Sequence, residues 1–275
     1  MAQVTGMAGF DTHTHSTASD GVLPPGQVVE LAKERGLLGM ALTDHDTVDG
    51  LEEAVAAGSR LDLTVIPGIE LSAEHNEQDV HILGYWIDAE RMRAAGRLQQ
   101  LSDFRTGRIY EIVRRLSLLG MELDADAIVA AAGSSPGRPH VAAAMVEAGY
   151  VSDLRMAFAK WLGRGKPAYV PRSKLSPFEA VEMILDAGGA AAVAHPGCGV
   201  PDSLLPSLIR AGVTAIEVYH PDHDRAAEKK YAAIALKNGL AALGGSDFHD
   251  PAVHEVGSRV TTVGQLGKLA ASRRD

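Results

Sequence analysis

The stretch Phe10-Asp11-Thr12-His13-Thr14-His15 runs from an apolar start into two histidines two residues apart. Residues spaced by two on an extended chain point to the same face. The spacing therefore predicts a short strand that delivers two imidazoles side by side at its end. The same arrangement recurs outward from this point. Apolar runs lie around Phe10 and over residues 39–43, 63–66, 80–86, 190–194, 215–219 and 240–243. Runs of this kind suit parallel strands covered on both faces. Helical periodicity falls between most of them, over 25–35, 51–60, 177–187, 202–211 and 222–238. Gly36, Gly188, Gly212 and Gly239 stand where four of these helices should stop. Strand and helix in alternation predict a parallel α/β sheet or barrel.

Five of the seven apolar runs finish on residues that bind metals. After His13 and His15 come His45 in Thr43-Asp-His-Asp46, Glu70 in Pro67-Gly-Ile-Glu70, His195 in Ala194-His-Pro196, and the pair Asp247 and His249 in Gly245-Ser-Asp-Phe-His249. The sixth run ends in Tyr219-His-Pro-Asp-His223, a weaker case, and His81 lies inside the fourth. A single strand-end histidine is ordinarily a hydrogen-bonded structural residue, and His75, His140 and His254 are read that way as regards metal. Several in phase are different. Carboxyl ends of parallel strands converge on one side of the sheet, and so many polar groups in one cleft need compensation. Cations are the simplest source, and nitrogen and oxygen donors without thiolate suit manganese, iron or zinc. Asp20, in the turn Ser19-Asp-Gly21, reads locally as either a turn cap or a ligand.

Composition limits the alternatives. The chain has 275 residues, 46% apolar and 22% charged, which fits one large folded domain or one with a small companion. Cys198 is the only cysteine, so neither an internal disulfide nor a cysteine-rich zinc site is available. A net charge of −9 argues against a broad nucleic-acid-binding surface, while a local arginine cluster still admits a small anionic substrate. No apolar run is long enough for a membrane span. Met1–Gly9 lacks the basic and apolar regions of a secretory leader, so a cytoplasmic location is expected.

Residues 88–165 break the alternation. They read as an all-helical insertion: a long stretch over 88–119 interrupted at Gly96 and Gly107, then helices over 126–132, 139–147 and 152–162. The barrel portion is accordingly expected over residues 1–87 and 166–275. The tail at 270–275 reads as a charged helix end.

Taken together, Asp11-Thr-His-Thr-His-Ser16, Ser19-Asp-Gly21, Leu42-Thr-Asp-His-Asp46, Pro67-Gly-Ile-Glu70, His81-Ile-Leu-Gly-Tyr85, Ala194-His-Pro-Gly197 and Gly245-Ser-Asp-Phe-His249 resemble, in order, the motifs of the PHP (polymerase and histidinol phosphatase) superfamily of metal-dependent phosphoesterases. The resemblance implies a distorted (β/α)7 barrel with a cluster of two to three divalent metals, manganese first, with iron or zinc as alternatives. It places nine ligands on His13, His15, Asp20, His45, Glu70, His81, His195, Asp247 and His249, with Glu70 bridging. The segments Arg105-Thr-Gly-Arg108, Gly137-Arg-Pro-His-Val-Ala142 and Gly165-Lys-Pro-Ala-Tyr-Val170 are similar to a subgroup of nucleoside 3′,5′-bisphosphate phosphatases and 5′→3′ exonucleases of short RNA.

The expected chemistry is in-line attack by a metal-held hydroxide on a phosphate monoester, without a covalent intermediate. His13, His15, Glu70 and Asp247 would act on the reacting atoms through the metals, and His223 would protonate the leaving oxygen. Arg105 and Arg108, three apart on a helix, share a face and suit a second phosphate. Arg138 and His140 flank Pro139 at a helix start, where exposed N–H groups favour anions. Lys166 and Arg172 lie where the insertion rejoins the barrel and rank lower. The alternatives are a phosphatase of a small sugar or amino-alcohol phosphate, an amidohydrolase-type reaction, and a non-catalytic metal-binding regulatory module.

Overall fold

The computed structural model describes residues 9–76, 78–133, 135–171 and 175–273. Arg172, Met1–Ala8 of the leader and the last two residues of the tail lie outside the described residues. Seven strands pair in the order β1-β2-β3-β4-β5-β6-β7. They are β1 (Phe10–Asp11), β2 (Gly39–Leu42), β3 (Thr64–His75), β4 (Gln78–Tyr85), β5 (Ala190–Val193), β6 (Val213–Tyr219) and β7 (Ala241–Gly244). Thr12 N–H reaches Gly244 O at the end of β7 at 3.4 Å, and the segments after β7 close back onto β1 and the turn that follows it. His15 N–H donates to Phe248 O at 2.8 Å, and Phe10 N–H to Thr261 O at 2.9 Å. The result is a nearly closed barrel, as the motif order implies.

One expectation about strand direction fails. β4 is antiparallel to both β3 and β5, while every other pairing is parallel. His75 pairs directly with Gln78 across a tight turn at Asn76, whose φ of 50° an asparagine tolerates. A parallel connection needs a crossover of a dozen residues or more, and none is available there. β3 also runs on to His75, well past the apolar run at 63–66. Glu70 and Ser72 interrupt the hydrophobic pattern but are buried with Leu71 and Ala73.

The helices are α1 (Pro25–Glu34), α2 (Leu51–Leu61), α3 (Ala89–Ala94), α4 (Arg97–Ser117), α5 (Ala125–Ala131), α6 (Arg138–Glu147), α7 (Leu154–Ala157), α8 (Pro177–Asp186), α9 (Leu205–Ala211), α10 (Arg225–Lys237) and α11 (Val263–Ala270). α1, α2, α8, α9 and α10 wrap the sheet. α8 starts on a capping box in which Ser176 Oγ accepts Glu179 N–H at 3.2 Å and Glu179 accepts Ser176 N–H at 2.9 Å. Gly96, at φ 68°, separates α3 from α4 as expected, but Gly107 does not interrupt α4. Burial of Leu101, Ile109, Ile112 and Leu116 offsets the roughly 1 kcal/mol that a mid-helix glycine costs. Residues 152–162 form only one turn of α7, capped by Asp153, then a π-helical turn over Phe158–Leu162. The tail at 270–275 reads as a charged helix end, and α11 is the helix it follows, stopping at Ala270; its body was not among the expected helices. Its Leu269 packs inside the barrel with Ala41, Leu83, Ala192, Ala215 and Leu243.

Among the described residues, three apolar clusters result. One lies between the sheet and its helices and includes Val28, Ala54, Ile69, Ile184, Leu208 and Ile216. The second fills the barrel and is rich in alanine, because seven strands leave a narrow interior. The third belongs to the helical segment: Ile109, Ile112, Leu116, Ile128, Val141, Met145 and Leu162. Met92 and Leu98, early in that segment, pack with the first cluster instead. No helix of the described residues is long and apolar enough to cross a membrane.

The separate third core generates a prediction. Ile112 is fully buried in it, so Ile112→Ala should cost about 2–5 kcal/mol. Hydrogen exchange should show the loss of protection in α4–α6, with amides of β6 largely unchanged; uniform deprotection of both regions would contradict an independent core.

Candidate metal centre

The turn after β1 is built around Asp44. Its carboxylate accepts Ser16 N–H and Ser16 Oγ–H at 2.7 Å each and Ser19 Oγ–H at 2.6 Å. These bonds fold Thr12–Gly21 back over the barrel mouth and bring Asp20 to the histidines. A Cβ at Gly21 would meet His15 O at 2.7 Å, so the turn needs glycine.

Glu70 is the centre of the site and is fully buried. Its Oε2 lies 3.2 Å from His13 Nε2, 3.2 Å from His15 Nε2 and 3.1 Å from His45 Nδ1. Its Oε1 lies 2.8 Å from His81 Nδ1 and 3.1 Å from His195 Nε2. Asp247 Oδ1 is 3.2 Å from both His13 Nε2 and His15 Nε2. Asp20 Oδ1 is 3.2 Å from His249 Nε2. All nine residues expected as ligands therefore converge. Because β4 is antiparallel, His81 comes from its first half, which lies beside Ser72 at the same end of the barrel.

The donors form three overlapping groups: His15, Asp20, His45 and His249; His13, His15, Glu70 and Asp247; and His45, Glu70 and His81. Glu70 Oε2 and His15 Nδ1 are buried without a hydrogen bond. His13 Nε2 and His15 Nε2 approach to 3.1 Å. Orphaned lone pairs at this spacing, in a nitrogen and oxygen donor set, fit divalent cations.

The charges reinforce one another. Burial alone would raise the carboxyl of Glu70, but His45, His81 and His13 hold it well below its ordinary range. Asp247 and Asp20 are likewise held low by neighbouring histidines against their burial. Burial opposes a charged His249, yet Asp20 and Asp247 push it up to about 10. His13 and His195 are also raised against their burial by surrounding carboxylates. His45 is the reverse, driven well below its usual value by burial in spite of Glu70 and Asp20.

His223 departs from expectation. Its Nδ1 donates to Val218 O at 2.8 Å and its Nε2 accepts Gly197 N–H at 3.0 Å, so both nitrogens serve the backbone. His220 takes the place facing the cluster, with Nε2 3.4 Å from Asp247 Oδ2 and Nδ1 accepting Asp222 N–H at 3.1 Å. Sequence reasoning also missed Glu217, a lone carboxylate inside a buried apolar strand. That incongruity was its signal.

The helical segment reaches the mouth at β2–β4. Arg105 on α4 donates through Nε to Asp46 Oδ2 at 2.7 Å, pairs with it again through Nη2, and reaches Ser72 Oγ at 2.9 Å. It is thus held by the residue next to His45. Arg108 is turned inward, its Nε donating to Val170 O at 2.9 Å. The Arg138 guanidinium lies 5.6 Å from the Phe158 ring, 5.7 Å from that of Tyr169, and 3.6 Å from Asp79. His140 Nδ1 accepts Gly137 N–H at 3.1 Å, and burial lowers its pKa. Lys166 is exposed beyond the π-helical turn.

A model of the PHP domain matches residues 11–150. The chain belongs to the PHP domain family. Among its relatives, a 3′,5′-nucleoside bisphosphate phosphatase of Chromobacterium violaceum is 39% identical over 89% of this chain and 88% of that protein. The 5′-3′ exoribonuclease Rnm of Escherichia coli is 34% identical over 88% and 85% of the two chains. A crystal structure from Bifidobacterium adolescentis, assigned as a metal-dependent phosphoesterase, superposes with a TM-score of 0.90 at 28% identity, over 98% and 97% of the chains. This PHP chain is a metal-dependent phosphoesterase, with a histidine and carboxylate cluster able to hold the cations.

A ligand imidazole must be neutral at the coordinating nitrogen, yet His13, His195 and His249 are raised toward the protonated form. Cation binding must expel those protons, so apparent affinity should rise with pH. Calorimetry with manganese in buffers of different ionisation enthalpy should show net proton release at pH 7; equal heats in all buffers would contradict this protonation pattern.

Proposed function

We propose that this PHP enzyme removes a phosphate from a nucleoside 3′,5′-bisphosphate, such as adenosine 3′,5′-bisphosphate, or acts on the 5′ end of short RNA. We also propose two to three cations, manganese first, and the cytoplasm as its location. The observation that carries the substrate reading is Arg138, whose guanidinium lies near both the Phe158 and the Tyr169 ring on the segment that reaches the cluster's mouth. Two aromatic faces within cation–π range, the carbonyl of Leu162 at 3.4 Å and Asp79 at 3.6 Å keep the guanidinium in place, and a guanidinium fork matches phosphate. The relatives' activities support the same reading.

When bound, the cations supply a nucleophile at neutral pH and neutralise the phosphoryl oxygens. The protein's own groups divide the rest. Asp44 holds the turn that carries Asp20. Arg105 couples α4 to the ligand-bearing ends of β2 and β3 through Asp46 and Ser72, so it acts as a strut and leaves recognition of the second phosphate mainly to Arg138. The first turn of α6 adds N–H groups suited to an anion. His220 accepts Asp222 N–H at Nδ1, so its proton sits on Nε2 toward the cluster, and this atom replaces His223 as donor to the leaving oxygen. Residues 88–165 then act as a lid that selects substrate. With a net charge of −9, the chain suits a small anion or a short RNA end better than a long nucleic acid.

The test is incubation of manganese-loaded protein with adenosine 3′,5′-bisphosphate, with products separated by chromatography and His15→Ala as control. AMP and phosphate should appear and vanish in the variant. Arg138→Ala should lower kcat/KM on the bisphosphate about 10–100-fold, the scale of a charged hydrogen bond. It should leave a small chromogenic monoester nearly unchanged. Equal losses on both would remove the selecting role of the helical segment.

A further inference from the structure

β6 contributes none of the nine expected ligands, yet it carries a charge into the barrel. Glu217 is fully buried between Ile216 and Val218. Its Oε1 and Oε2 lie 3.0 and 3.2 Å from His13 Nδ1, and Oε2 accepts His195 N–H at 2.8 Å. The surrounding backbone is shaped to this approach. A Cβ at Gly245 would sit 2.7 Å from Glu217 Oε1 and 2.3 Å from His13 Cβ. His195 holds φ 21° and ψ 60°, a conformation side-chain-bearing residues rarely adopt.

We propose that Glu217 is a positioning residue that sets two metal ligands at once, the ring of His13 through Nδ1 and the backbone of His195 through its N–H. A carboxylate at Nδ1 keeps the proton there and leaves the Nε2 lone pair facing Glu70 Oε2 and Asp247 Oδ1, each at 3.2 Å. It also makes the imidazole a stronger donor. The bond to His195 N–H stabilises the strained backbone from which that ring reaches Glu70 Oε1 at 3.1 Å. The two rings consequently lie nearly parallel, 15° apart in plane and 5.7 Å between centroids. One side chain thus ties the end of β1 to the end of β5 beneath the cluster. The inference rests on the metal-dependent reading of the site and is independent of which ester is cut.

Two measurements test it. The first uses wild-type protein loaded with zinc as a diamagnetic probe and labelled with nitrogen-15 at histidine. Long-range proton–nitrogen spectra should show His13 protonated at Nδ1 with the metal at Nε2; a proton on Nε2 would overturn the proposal. The second uses Glu217→Gln, nearly equal in size, whose neutral amide is a weaker acceptor and places an NH2 group at one of the two oxygen positions. Chelator competition should show zinc affinity reduced about 10–100-fold, with much of kcat recovered at saturating metal. A variant with lower thermal stability but unchanged zinc affinity would make Glu217 a structural charge only. If the variant does not fold, the wild-type spectrum alone decides.

Discussion

A carboxylate buried at the centre of a ring of imidazoles is the constraint on which the rest of this protein depends. Glu70 has no exposure to water and five histidine nitrogens within 3.2 Å. Taking such a charge out of water costs several kcal/mol unless its partners hold it closely. Those partners come from the ends of β1, β2 and β5 and from the first half of β4, so distant strands must meet before the charge is satisfied. The mutual pKa shifts express the same coupling: the carboxylates stay ionised because the histidines surround them, and His13, His195 and His249 stay basic because the carboxylates do. Cations would replace that internal proton balance with a stronger one.

The supporting layer follows from the same demand. Asp44 folds the turn carrying Asp20, and Asp46 at φ 53° holds Arg105 and accepts Ser72 N–H at 2.8 Å. Each is a carboxylate close to a ligand, and each uses its charge on backbone, serine hydroxyl or arginine donors. The helical segment is joined to the cluster through Arg105 in particular. A change in how α4 sits would therefore be felt at His45. The segment nevertheless has its own apolar core, so it can vary while the barrel remains intact.

Much of the architecture was legible locally. Seven apolar runs became seven strands, and helix starts such as Ser176-Pro-Phe-Glu179 carried their caps in the chain itself. The ligand set was legible too, because strand-end positions repeat one chemistry. What escaped had both local and non-local causes. The antiparallel course of β4 depends on a tight turn at Asn76, and the length of β3 was hidden by the polar residues the site requires. Gly107 reads as a break, but burial of its neighbours overrides its propensity. α11 carries a short apolar pattern that has meaning only against the barrel interior.

The sequence by itself determined the kind of chemistry: histidines and carboxylates in phase at strand ends, a helical segment with arginines, and no thiolate set. These are properties of residue type and spacing, which hydrogen bonding along the chain converts directly into position. Only the tertiary structure decided which groups do what. His220 faces the cluster while His223 is bound to backbone; Arg105 is tied to Asp46 while Arg138 lies near two aromatic rings; Glu217 lies behind His13. Such roles depend on which side chain occupies the few donor and acceptor positions around a buried charge, and those positions exist only once distant strands have met.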